Sequence, residues 1–89
     1  KMQNDIENIR YVEMTFDHTI NFDIEEIANA NNFIPSDIEE VECGKWARLS
    51  ITLKDGRVVE EEGNMDGAFP ELKWAEKETF YDGNYNEII

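Results

Sequence analysis

Apolar and polar residues alternate from Ile9 to Phe16: Arg10, Val12, Met14 and Phe16 fall on one side of an extended chain, and Ile9, Tyr11, Glu13 and Thr15 on the other. That period of two predicts a first strand, with His18 in the turn after it. The spacing then changes. Ile24, Ile27, Ala28 and Asn31 recur at helical intervals, and Asp23 stands three residues before Glu26 as in a capping box. Pro35 cannot continue a helix, so a short capped helix is predicted over about 23–31. A clearer alternation runs from Trp46 to Lys54, with Ala47, Leu49, Ile51 and Leu53 opposite Trp46, Arg48, Ser50, Thr52 and Lys54. Asp55-Gly56 is a turn signal, and Arg57 to Glu62 returns as the partner strand of a hairpin.

Two registers fit that hairpin. A two-residue turn sets Glu60 opposite Ile51, whereas a three-residue loop with Gly56 in a bulge pairs Ile51 with Val59 and keeps Glu60 off the core face. Two other segments stay open. Ser36 and Glu39 fit a capping box while 38–43 fit a strand, which is favoured and which turns Val41 and Cys43 toward the core. Phe69 to Ala75 fits a helix starting at Pro70 or a strand, so 70–78 is unassigned. Residues 63–68 read as a loop, 1–8 as a frayed lead-in, and 82–89 as a polar tail. The expectation is one α+β domain over 1–89: an antiparallel sheet of three to four strands, with the hairpin at Asp55-Gly56, packed with one or two short helices.

Composition narrows the function classes. The chain has 89 residues, too few for a second core. Its apolar runs are two or three residues long, where a membrane span needs about 18. Lys1-Met2 reads as one added residue before an initiator methionine, and no basic segment followed by an apolar one stands there, so a cytoplasmic protein is expected. Cys43 is the only cysteine, which excludes an internal disulfide and a multi-cysteine metal site. With 21 Asp+Glu against 8 Lys+Arg, the net charge of -13 exceeds what a small soluble domain needs. It also disfavours direct binding to nucleic acid or anionic lipid.

Catalytic and metal-binding constellations are sparse. His18 and Cys43 are the only imidazole and thiol, so a Cys/His dyad has a single candidate pair. Asp82, Asn84 and Asn86 match the first oxygen positions of an EF-hand loop, but Glu87 replaces the required glycine and the chain ends before the bidentate glutamate. Asp17, Asn21 and Asp23 read as an Asx-rich turn entering a helix. No phosphate loop, nucleophile elbow or other cofactor motif is present. Of the aromatic residues, Phe33, Phe69, Trp74 and Phe80 are expected in the core. Trp46, and Tyr81 and Tyr85 in the tail, are candidate exposed anchors.

The unusual feature is how the acids cluster: Asp23-Glu25-Glu26, Asp37-Glu39-Glu40-Glu42, and Glu60-Glu61-Glu62 extending to Asp66. Between Lys1 and Lys45 the only basic residue is Arg10. Carboxylates two apart on a strand lie about 6.7 Å apart, so such rows form lines of negative charge. A domain of this size is roughly 30 Å across, and duplex DNA carries about 18 charges over that length. Compact acidic phage proteins, the anti-restriction and anti-CRISPR proteins, are similar in size and charge. That resemblance of class implies a non-enzymatic inhibitor, a nucleic-acid mimic occupying the basic cleft of a nuclease or effector complex. The expected contact residues are Asp37, Glu39, Glu40, Glu42, Glu60, Glu61, Glu62 and Asp66, with Trp46 as a packing anchor. The alternative is an immunity protein neutralising one cognate basic toxin. No metal, cofactor or direct nucleic-acid ligand is expected.

Overall fold

Val12 and Met14 go inward while Tyr11, Glu13 and Thr15 stay part-exposed, because successive side chains of a strand point to opposite faces. The computed structural model describes residues 6–63 and 74–88. In chain order it has β1 (Tyr11–Thr15), β2 (Thr19–Asp23), α1 (Ile24–Asn31), β3 (Ile38–Gly44), β4 (Arg48–Leu53), β5 (Val58–Glu62) and β6 (Lys77–Tyr81). The architecture is α+β, as the pattern predicts, and the described residues form six strands in two antiparallel sheets ordered β2-β1-β6 and β3-β4-β5. One core joins them: Val12, Met14, Ile20 and Phe22 from the first sheet meet Leu49, Ile51, Leu53 and Val59 from the second. Ile24, Ile27 and Ala28 of α1 close it.

The helix begins where the sequence places it. The Asp23 carboxylate accepts the amides of Glu25 and Glu26 at 3.0 and 3.2 Å, satisfying donors that the first turn leaves unpaired. Glu25 also pairs with the Arg10 guanidinium at 3.2 Å. At the other end Asn32 adopts the left-handed conformation, and Arg57 donates to the carbonyls of Asn31 and Asn32, placing a cation at the negative end of the helix. A single 3-10 turn, Pro35–Asp37, follows, held by the Asp37 carboxylate accepting the Ile34 amide at 3.1 Å.

The open segments resolve in part. Residues 38–43 lie in β3, and the hairpin takes the register that pairs Ile51 with Val59. The Leu53 amide donates to the Arg57 carbonyl across a three-residue loop, and Gly56 supplies the positive φ of 96° that this loop requires. The Trp46–Lys54 strand is corrected at its start. Trp46 and Ala47 both have left-handed backbone in the turn Lys45–Ala47, and the strand begins at Arg48. Trp74, expected in the core, is exposed, with the Lys45 ammonium 5.5 Å from its ring centre. Phe33 is buried and Phe80 packs against the core. Phe69, Asp66 and the choice between helix and strand over 70–73 lie outside the described residues.

The tail folds back on β6. The Asp82 carboxylate accepts the amides of Asn84 and Asn86 at 2.8 and 2.9 Å, and Ile88 donates to the Phe80 carbonyl. The amides of Asn86 and then Asn84 hold the Asp82 carboxyl below the usual aspartate value, since they bind its charged form. A group whose value is lowered on folding stabilises the fold above its unfolded value and loses that contribution as pH falls through the folded one. Tail docking is therefore expected to loosen first as pH drops below the ordinary aspartate range, while the core sheets persist. Amide exchange at Ile88, compared with Leu49, checks this; parallel behaviour of the two sites down the acid range would refute it.

Candidate functional site

A β-bulge makes the acidic face. Ile38 pairs with Leu53, yet Glu40, two residues on, pairs with Thr52, so Glu39 is an extra residue that reverses the alternation. Without it Ile38 and Glu40 would share a side. With it Ile38, Val41 and Cys43 turn to the core, and Glu40 and Glu42 turn out. Glu42 and Glu60 flank Ser50 in one row of the register, Glu40 and Val58 flank Thr52 in the next, and Gly44 and Glu62 flank Arg48 in the third. Neighbouring strands lie about 4.8 Å apart and alternate residues about 6.7 Å apart. The outer face of β3-β4-β5 is thus a grid of four exposed glutamates, Glu40, Glu42, Glu60 and Glu62, held on paired backbone.

One cation interrupts the grid. Arg48 donates to the Glu62 carboxylate at 2.8 Å, with both side chains about half exposed. The hydrogen bond that Arg48 donates to Glu62 raises the guanidinium's value further, and the exposure of both side chains to water leaves the pair weak. Glu60, Glu42 and Glu40 have no such neighbour among the ion pairs of the described residues.

The remaining predicted contacts divide. Glu39 is exposed at the bulge, beside the grid. Asp37 is exposed, but its carboxylate holds the turn before β3. Glu61 belongs to the opposite side of β5: it pairs with Leu49, is half-buried, and lines a cleft of about 420 Å³ with Glu26 and Gly63. Trp46 is exposed as expected, but not on the strand face assigned to it. It lines a shallow site with Gly44, Lys45 and Arg48, so its neighbours are cations. Arg48, Ser50 and Thr52, which complete the face, stand out in the sequence only as the polar half of an alternating strand.

The nucleophile candidates do not combine. His18 is exposed in the β1–β2 connection, whereas Cys43 sits in the other sheet, packed against the core. Burial, then the charges of Glu78 and Glu42, pushes the Cys43 thiol up to about 12, so it carries no thiolate at neutral pH. Among the described residues no three metal-ligating side chains converge, and no helix is long and apolar enough to cross a membrane. No protein-family model, curated protein or solved structure matches the chain.

Proposed function

We propose that the protein is a non-enzymatic inhibitor whose acidic face occupies the basic nucleic-acid-binding cleft of a cytoplasmic nuclease or effector complex, in the manner of phage anti-restriction and anti-CRISPR proteins. The observation that carries this reading is the grid of Glu40, Glu42, Glu60 and Glu62 on one sheet face, with Arg48 as the one guanidinium within it. Backbone pairing fixes the grid before any partner arrives, which lowers the ordering cost of binding. The size agrees. The molecule is 35 Å in its longest dimension, a length over which duplex DNA presents about 20 charges, and the chain carries 21 acidic residues against 8 basic ones, a net charge of -13. A basic cleft that accepts a duplex is attracted to this net negative charge, and electrostatic attraction speeds the encounter.

The test is displacement. The immobilised protein captures its partner from cell lysate, and the purified partner is then loaded with labelled duplex DNA and titrated with free protein. Release of the DNA by the wild type, and retention against a variant with all four face glutamates changed to glutamine, is the expected result. A partner that binds the protein while keeping its DNA overturns the reading. Tight, salt-insensitive capture of a single toxin would instead support the immunity reading.

A further inference from the structure

The outer face of the other sheet holds a pocket of different character. Tyr11 of β1 and Tyr85 of the tail stack with ring centres 4.4 Å apart and planes 12° apart, and Tyr81 of β6 leans against Tyr85 at 6.4 Å and 58°. These three rings line a cavity of about 580 Å³ together with Glu13, Asp23 and Glu26. The fold builds this composition: Tyr11 pairs with both Asp23 and Tyr81, Glu13 lies two residues along β1 on the same face, and Glu26 follows in the first turn of α1. Folding back of the tail brings Tyr85 across.

Aromatic walls and carboxylates together select a cation. Ring faces carry negative potential, which attracts cations at close range, and among the described residues no lysine or arginine pairs with Glu13, Asp23 or Glu26. The two held carboxylates are each engaged at one oxygen. Glu13 accepts the Tyr81 hydroxyl at 3.2 Å through Oε1, and Asp23 accepts the α1 amides through Oδ1. This leaves Glu13 Oε2, Asp23 Oδ2 and the Glu26 carboxylate as acceptors beside the rings. The hydrogen bond between Tyr11 and Tyr85 raises the Tyr11 phenol, with burial and the charges of Asp23 and Glu25 adding to it. Burial and Glu13 raise Tyr81. Both stay neutral, so their ring faces present no repelling phenolate.

A quaternary ammonium can use the rings but has no N–H for the carboxylates. A lysine ammonium is a point charge and cannot stack. A guanidinium is planar, stacks on aromatic rings and carries five donors in a fixed fork, so it uses both walls at once. We infer that this pocket is a binding site for the guanidinium group of an arginine side chain presented by a protein partner. The inference rests on the reading that the partner is basic, and it adds a specific anchor to a contact otherwise set by overall charge.

The test needs no partner. The full-length protein is titrated with a capped tripeptide, acetyl-Gly-Arg-Gly-amide, with its lysine counterpart, and with free arginine, while amide and tyrosine ring resonances are followed by NMR. The arginine peptide is expected to shift Tyr11, Tyr81, Tyr85 and Glu26 saturably and to bind about tenfold more tightly than the lysine peptide. Free arginine, whose α-carboxylate and α-ammonium offset each other, is expected to shift the same resonances through its guanidinium. Tyr85→Leu and Glu26→Gln, both at exposed positions, should each weaken the arginine peptide about tenfold, and the variant lacking the four face glutamates should bind it as the wild type does. Equal shifts for arginine and lysine, or shifts centred on the β3-β4-β5 face, overturn the pocket. Failure of the displacement experiment with a saturable arginine response here would remove the inhibitor reading and leave the guanidinium site.

Discussion

Gly63→Ala is expected to lower stability by about 1–3 kcal/mol, a fall in Tm of roughly 5–20 °C for a domain of this size. Gly63 follows β5, and its amide donates to the Ala47 carbonyl at 2.8 Å. A Cβ there would lie 2.5 Å from Ile20 Cγ2, 3.2 Å from Ala47 Cβ and 3.3 Å from Phe22 Cζ. Ile20 and Phe22 come from one sheet and Ala47 adjoins the other, so relief requires the sheets to move apart or a β-branched side chain to leave its rotamer. Two further variants give the measurement its meaning. Gly44→Ala, whose Cβ would meet only the Arg48 carbonyl at 3.9 Å, should be neutral or slightly stabilising. Ile20→Leu removes the opposing methyl from Cβ, so the double variant with Gly63→Ala should lose less than the sum of the single changes. Thermal unfolding followed by circular dichroism decides it. A Gly63→Ala protein as stable as wild type, or strictly additive losses, would refute a steric origin.

The legible parts of the fold were those with a local signal. The alternation of Leu49, Ile51 and Leu53, the Asp23 cap and the Asp55-Gly56 loop each specify structure within a few residues, and all three appear. Strand β2 gave little to read. Only Ile20 and Phe22 mark its inner side, and its outer side is Thr19, Asn21 and Asp23, of which asparagine and aspartate are poor strand formers. Strand β6 pairs with β1 from more than sixty residues away, a contact for which neither segment carries a local mark. The site followed the same division. Clustering identified the glutamates of β3 and β5, but the period of two could not place Ile38 inward and Glu40 outward without the bulge at Glu39. Trp46 departs from the alternating strand because its backbone is left-handed, a conformation uncommon for a bulky residue, and the buried Ala47 after it is left-handed too. Tyr81 and Tyr85 were visible as anchors, but their partner Tyr11 was hidden among the residues of the first strand.

The four face glutamates are expected to contribute unequally to partner binding, and their combined loss to weaken it about 10²–10³-fold, taking about 1 kcal/mol for each partly desolvated charge. Glu42 and Glu60 flank an uncharged serine, so each presents a full charge to an incoming cation. Glu62 already shares its charge with Arg48 at 2.8 Å, and Glu62→Gln should therefore cost least, with Arg48→Gln strengthening binding. Salt separates this face from the nucleic acid it would replace. Duplex DNA holds one charge per about 1.7 Å, and a protein making six or more phosphate contacts loses about 10³ in affinity between 50 and 200 mM salt through counterion release. Glutamates about 6.7 Å apart along a strand and about 10 Å apart across it form a far sparser array. They release fewer counterions, so affinity for the partner should fall less steeply with salt. Raising the salt over that range should thus let the protein displace duplex DNA at a smaller molar excess, by roughly tenfold or more, until its own attraction is screened. Displacement titrations at several salt concentrations, with the four single Glu→Gln variants alongside, measure both effects. Equal losses at all four positions, or a salt slope as steep as that of DNA, would exclude the sheet face as the competing surface.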